Sequence, residues 1–190
     1  ATYNGSSPYL TPATFNLIQH VEHEMGAYSV KGGIHQIPKK IKELSEMSGA
    51  TFHFNSKVDR IITENNKVRG IEIDGEQLNY DAVVSNSDVT GTYNDLLKDD
   101  NSRTSRKFNS LEPSSSGQVF FWGIRKEFKE LRDNNIFFSS NYKKEFKDIW
   151  DQKKSPDDPT IYINITSKSD PDDSPSGREN WFVLVNVPYD

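Results

Sequence analysis

Apolar residues recur at helical spacing in two segments near the start of the chain, and at strand-like spacing in most segments after them. In 11–25, TPATFNLIQHVEHEM, the residues Phe15, Ile18, Val21 and Met25 fall on one stripe. A cap-like Thr11, Pro12 at a first helical position and Gly26 as a stop complete a predicted helix. After a short strand-like AYSV, Gly32-Gly33 opens a second helix with Ile34, Ile37, Ile41, Leu44 and Met47 on one stripe. Its Pro38 is tolerable in or near the first turn, where backbone donors lack an intrahelical partner, and Gly49 supplies a left-handed stop.

ATFHF then alternates like a strand, and KVDRIIT, KVRGIEI and EQLNY read as a meander, because Asn65-Asn66 and Asp74-Gly75 are strong turn signals. The run in DAVVSN suits a strand covered on both faces. On this pattern residues 32–88 form a helix on a small mixed layer, with Ile37, Ile41, Leu44, Val83 and Val84 buried together. VTGTYNDLL reads as a short helix and GQVFFWGIRKEF as a strand with apolar residues on both faces. NYKKEFKDIWDQ is helical, turning Tyr142, Phe146 and Ile149 or Trp150 inward. PTIYINITSKSD and ENWFVLVNVP are two more strands, joined by a PDDSPSG loop. The fold class is α+β.

Composition narrows the possibilities. A length of 190 residues holds one ordinary domain or two small ones, and 12% aromatic residues argue against disorder. The net charge of −5 comes with Lys and Arg interspersed among acids, so no nucleic-acid partner is expected. The lack of cysteine removes disulfides, thiolate metal sites and thiol nucleophiles. His20 and His23 lie three apart on the first helix, but no third ligand pattern accompanies them, and no metal is expected. No stretch approaches the ~20 apolar residues that cross a bilayer. The start lacks Met and any secretion signal, and WFVLVNVPYD stops on a strand-like run, so an internal stretch of a longer protein is expected. Asn4 and Asn164 match the glycosylation acceptor pattern, but without a secretory context no sugar is expected there.

The usual catalytic constellations are missing: no Gly-x-Ser-x-Gly elbow, no Walker loop, no His-Glu-x-x-His and no calcium loop. The order Gly-Gly, amphipathic helix, strand and short strands over 28–88 is usual in nucleotide-binding enzymes, yet no phosphate-binding loop precedes it. A plain helix entry also explains Gly32-Gly33. No catalytic acid or base is singled out.

Several longer pieces carry more. ATYNGSSPYLTPATFNLIQHVEHEMGAYSVKGGI with its Tyr-x-Gly-x-Ser-Pro core, DAVVSNSD followed by TYNDLL, EPSSSG before a strand, NIFFSSNYKKEFKDIW, and DPTIYINITSKSDPDDSPSGRENWFVLVNVP run in one order over nearly the whole chain. In these the chain resembles the bacterial-type phytoene desaturase (phytoene dehydrogenase) family, FAD-dependent carotenoid desaturases related in fold to the flavin amine oxidases. The resemblance implies an α/β flavoprotein-like fragment that combines part of an FAD-binding domain with a mixed-sheet substrate domain. Residues 32–88 would complete the FAD-binding domain, and 1–31 with 89–190 would belong to the substrate-binding domain. The glycine-rich dinucleotide loop would lie upstream of Ala1, so FAD would serve the full-length protein and not bind this chain alone.

The resemblance also implies the reaction, removal of hydrogen from a lipophilic polyene as hydride to the flavin plus a proton, and the site residues. Val58 would offer backbone atoms to the adenine ring, with strand packing as its plain alternative. Ser85 and Asn86 stand where an open sheet meets its ligand, with a loop cap as theirs. Among Phe120, Phe121, Trp122, Phe137, Phe138, Tyr162 and Trp181, about half would be ordinary core, and Phe121, Trp122, Phe138 and Tyr162 are put forward as substrate-lining. A cytoplasmic protein at the membrane periphery is implied, with a homo-oligomer left open. The alternatives are a related flavin oxidoreductase of retinol saturase-like or amine oxidase-like activity, and a catalytically silent module presenting an apolar groove or an oligomer interface.

Overall fold

The computed structural model describes residues 6–98 and 102–189. In chain order, a 3₁₀ turn Ala13–Phe15 leads into helix α1 (Asn16–Met25), and α2 (Gln36–Met47) follows. Strands β1 (Arg60–Glu64), β2 (Lys67–Ile73) and β3 (Glu76–Asn79) come next. A helical turn α3 (Val89–Gly91) runs into a π-helical turn Thr92–Leu96, and α4 (Arg103–Asn109) follows. Strands β4 (Ser116–Ile124) and β5 (Asn134–Phe137), helix α5 (Tyr142–Trp150), strand β6 (Ile161–Asn164), 3₁₀ turns Thr166–Lys168 and Pro171–Asp173, and strand β7 (Glu179–Val187) complete the described chain. Helices with antiparallel sheets agree with the α+β reading.

The chain divides into two compact units, one formed by Ala1–Lys42 with Pro113–Asp190 and the other by Glu43–Glu112. The second unit holds a three-stranded meander in the order β1-β2-β3, antiparallel throughout. Its turns are Asn65-Asn66 and Asp74-Gly75, all four residues at positive φ, as a two-residue hairpin turn that matches the strand twist requires. The layer is therefore not mixed: two-residue turns can only reverse the chain. The β1–β2 register slips between Ile62 and Thr63, a bulge opposite Gly70, where Gly70 lets the backbone of β3 come close.

The first unit is built on a four-stranded sheet in the order β4-β7-β6-β5, again all antiparallel instead of the mixed sheet expected. β4 and β7 pair along their full length, from Ser116 opposite Val187 to Ile124 opposite Glu179. The buried core lies on one face, where Ile163, Ile165 and Val183 meet Phe120, Leu131, Ile161 and Trp181. Helix α5 starts at an Asn141 cap whose side chain accepts the Lys144 amide, and it buries Phe146 and Ile149, as the helical stripe predicted. Its buried Glu145 accepts the Thr160 amide at 2.8 Å and the Thr160 hydroxyl at 2.6 Å, tying the helix to the start of β6. Asp158 accepts the Ser140 hydroxyl at 2.6 Å and the Ser140 amide at 2.8 Å, and these bonds hold its carboxyl below the usual range.

Two expectations fail. AYSV, ATFHF and DAVVSN form no strand, and Val84 is 94% exposed instead of buried. The α2 stripe is exposed as well, with Leu44 at 64%. A strand exists only where another strand accepts its hydrogen bonds, and none of the described strands pairs with these runs. Thr11 also departs from its expected capping role: its hydroxyl donates to the Ser7 carbonyl at 2.7 Å.

Candidate functional site

In the four-stranded sheet, side chains at paired positions share a face and successive ones alternate. The register puts Trp122 opposite Trp181 and Phe120 opposite Val183, on the core face. Phe121 opposite Phe182, and Val119 opposite Leu184, fall on the other face, which β6 and β5 continue with Tyr162 and Ile136. This second face is not covered by core: Phe121 is 82% exposed, and Val119 and Ile136 are also exposed. Phe121 and Phe182 meet edge to face at 5.5 Å, and Phe182 meets Tyr162 edge to face at 6.4 Å. The result is a row of aromatic rings crossing three strands, an apolar surface of the kind that marks a ligand or partner site.

No carboxylate, imidazole or ammonium sits at any strand position of this face, where the polar side chains are those of Asn134, Asn164, Asn180, Asn186 and Tyr162. Burial pushes the Tyr162 phenol above its ordinary value, so it stays protonated, and its hydroxyl donates to Asn134 Oδ1 at 2.6 Å. The face can bind and orient an apolar molecule, and it has no group to act as a strong acid or base near neutral pH.

Of the four substrate-lining candidates, the structure brings Phe121 and Tyr162 together on this face and puts Trp122 on the opposite one, its ring 5.7 Å from Phe120. Phe138, exposed one residue past β5, packs edge to face on Tyr142 at 5.7 Å. Sequence reasoning passed over Phe182, Leu184, Asn134 and Asn164. The alternation in Phe182, Leu184 and Asn186 of β7 was the available signal, but only pairing with β4 and β6 shows which face it addresses.

Residues assigned to the cofactor lie in the other unit. Val58, half-buried, lines a cleft of about 440 Å³ on the meander together with His53, Ser56, Ile71, Leu78 and Tyr80. Asp74 and Glu76 also line it. Ser85 is half-buried and its hydroxyl is bonded to that of Thr92 at 2.8 Å, while Asn86 is exposed just after it. Asp88 then caps α3, accepting the Thr90 hydroxyl at 2.5 Å and the Thr90 amide at 2.8 Å, which lowers its pKa. Beyond it, Asn94 in the π-helical turn and Asn109 exchange amide hydrogen bonds at 3.2 Å each way, and the buried Ser105 hydroxyl donates to Asn94 at 3.1 Å. Of the two glycosylation acceptors, Asn4 lies outside the described residues, and Asn164 donates its amide to the Asp133 carbonyl and to Asn134. Among the described residues no group of three or more His, Asp or Glu side chains is arranged to hold a metal.

The chain belongs to the flavin containing amine oxidoreductases, whose family model matches residues 1–185. It is 46% identical over its full length to a 1-hydroxycarotenoid 3,4-desaturase of Flavobacterium sp. (strain P99-3). It is 37% identical over 98% of its length to a 4,4'-diaponeurosporene oxygenase of Staphylococcus haemolyticus (strain JCSC1435), and 36% to that of Staphylococcus aureus (strain USA300). The chain spans 38% of the length of each of these relatives. The resemblance read from the sequence is thus borne out in family and in the carotenoid-modifying character of the relatives.

Proposed function

We propose that this chain is part of an FAD-dependent oxidoreductase that desaturates a carotenoid-type polyene. The observation that carries the reading is the exposed aromatic row Phe121–Phe182–Tyr162, in a chain similar along its length to proteins named for carotenoid oxidation. A polyene offers a long, flat, apolar surface with no charge, and ring edges and faces on an uncharged sheet suit it. At 46% identity the desaturase is nearer than the oxygenases at 37% and 36%, which favours desaturation over oxygenation.

FAD fits in part. The Val58 cleft is lined by apolar Ile71, Ile73 and Leu78, by Tyr80 and by polar His53 and Ser56, a mixture that suits a planar heteroaromatic ring such as adenine. Asp74 and Glu76 on the same cleft would repel a pyrophosphate. When bound, the flavin supplies the hydride acceptor. The residues of this chain bind the polyene on the sheet, orient it and keep charged groups away from it. In this reading residues 32–88 complete an FAD-binding domain, with the meander on the cofactor side, and 1–31 with 89–190 form the substrate side. Such a substrate dissolves in bilayers, so the reading includes contact with a membrane surface; among the described residues no helix is long and apolar enough to cross one.

The test is anaerobic mixing of the whole protein, loaded with FAD, with an acyclic carotenoid precursor. Desaturation removes two hydrogens from the substrate and places them on the flavin, so the yellow flavin absorbance should bleach while the polyene absorbance shifts to longer wavelength. A product that forms only with dioxygen and carries its oxygen would overturn the assignment in favour of oxygenation.

A further inference from the structure

Glycine bounds the aromatic face at both ends of its edge strand. On β4 the positions of this face are Gly117, Val119, Phe121 and Gly123, opposite Asn186, Leu184, Phe182 and Asn180 of β7. Neither glycine is held at a positive φ, so no turn or left-handed backbone requires them. A glycine inside a strand weakens it, and often marks a place where a ligand or another backbone comes close.

The two glycines differ in what stands over them. A Cβ added at Gly117 would meet Leu184 Cδ1 at 3.5 Å, so the Leu184 side chain already fills that end of the face. A Cβ added at Gly123 would meet nothing within 4 Å. The residue opposite does not close this gap. Asn180 Oδ1 accepts the Ser167 amide at 3.0 Å and Asn180 Nδ2 donates to the Thr166 hydroxyl at 2.7 Å, which draws its carboxamide to the turn after β6. On its other side β4 has no neighbouring strand among the described residues. The Phe121 and Phe182 rings therefore give way to an open notch over backbone, and the filled end lies roughly 20 Å along the strand.

We propose that Gly123 is a specificity-determining position: a polyene lying along β4 over Val119 and Phe121 leaves the sheet across the Gly123 notch, and the missing side chain sets how long a polyene the face accepts. The inference rests on the reading of this face as the polyene wall and adds where the chain leaves it. A short polyene can stop before Gly123. A longer one cannot shift the other way, because Leu184 fills the Gly117 end, so it must cross Gly123, where a side chain would stand in its path.

Dissociation constants of the whole protein, read from quenching of tryptophan fluorescence, test this with polyenes that share their end groups and differ only in length. The shortest should be no longer than the roughly 13 Å from Val119 to Gly123. Gly123 is exposed and valine is favoured in strands, so Gly123→Ala and Gly123→Val should keep the melting temperature. Both should leave the shortest polyene bound as before and weaken the longest, Gly123→Val by at least about fivefold and Gly123→Ala by less. Equal weakening at every length, or none, would overturn the gauge while leaving the polyene reading intact. Loss of bound FAD from Gly123→Val with an unchanged ranking of polyenes would also overturn it, because the notch would then serve the cofactor. A protein that binds no polyene of any length would overturn both.

Discussion

Lys168 Nζ and Glu179 Oε1 stand 2.6 Å apart where β7 begins, and Glu179 is only 3% exposed. The carboxylate also accepts the Phe128 amide at 2.9 Å and the Trp181 indole at 2.8 Å, and Lys168 donates to the Phe128 carbonyl at 2.7 Å. Three segments of the sheet unit, the Thr166–Lys168 turn, the loop at Phe128 and β7, thus meet at one ion pair. Burial pushes the Glu179 pKa up, but the Lys168 hydrogen bond, the indole, the amide and the Lys168 charge together hold it below its ordinary value near 4.5.

Lys168→Met leaves the Glu179 carboxylate with only the Phe128 amide and the Trp181 indole, and should destabilise the sheet unit by about 1–3 kcal/mol. Because folding lowers the Glu179 pKa, its stabilisation is complete above pH 4.5 and fades as the pH falls through the lower folded value. Urea denaturation followed by tryptophan fluorescence should show this loss in the unaltered chain and a flatter acid limb in Glu179→Gln. Parallel acid limbs in the two would contradict the assignment.

Gly70 should tolerate no side chain. A Cβ there would run into the Leu78 carbonyl oxygen and the Asn79 Cα of β3, both backbone atoms that cannot swing away. Gly70→Ala is expected to cost at least about 2 kcal/mol and to unpair β2 from β3, visible as lost amide protection in hydrogen exchange. Full protection of the β3 amides in the variant would show that the meander can reshape.

Leu44→Ala should cost under about 1 kcal/mol in the chain as it stands, because a side chain 64% exposed has little burial to lose. A loss of several kcal/mol on chemical denaturation would mean that the stripe is packed in solution.

That residue marks the limit of what could be read in advance. Local chemistry was legible: Asn65-Asn66 and Asp74-Gly75 set the meander turns, Asn141 caps α5, and the Phe146 and Ile149 spacing turns both inward. Strand identity in ATFHF and DAVVSN was not, since apolar content signals burial but a strand also needs a neighbour. The binding face was half legible. In the run Val119-Phe120-Phe121-Trp122 both parities are apolar, so the sequence cannot say whether Phe121 or Trp122 looks outward; the pairing with Phe182 and Trp181 decides it. Asn134 carried no signal of its own, because its meaning comes from a phenol that lies 28 positions away.

The 190-residue chain alone, mixed with FAD and desalted, is expected to emerge colourless. Flavin dinucleotides are held largely through the pyrophosphate by backbone donors at a helix N-terminus, and this sequence has no Gly-x-Gly-x-x-Gly loop to provide them. Ring contacts in the Val58 cleft must first offset the several kcal/mol lost on immobilising a large ligand. Stoichiometric yellow protein after desalting would show a self-contained flavin site.

Phe121 tests the aromatic face of the four-stranded sheet as the polyene wall with least disturbance, because its exposure leaves the fold little to lose. Polyene dissociation constants should be measured for the whole protein and for Phe121→Ala, with thermal unfolding recorded in parallel. Loss of a ring that covers the ligand should weaken binding at least about tenfold with an unchanged melting temperature. Unchanged affinity in Phe121→Ala would place the polyene elsewhere and contradict the account.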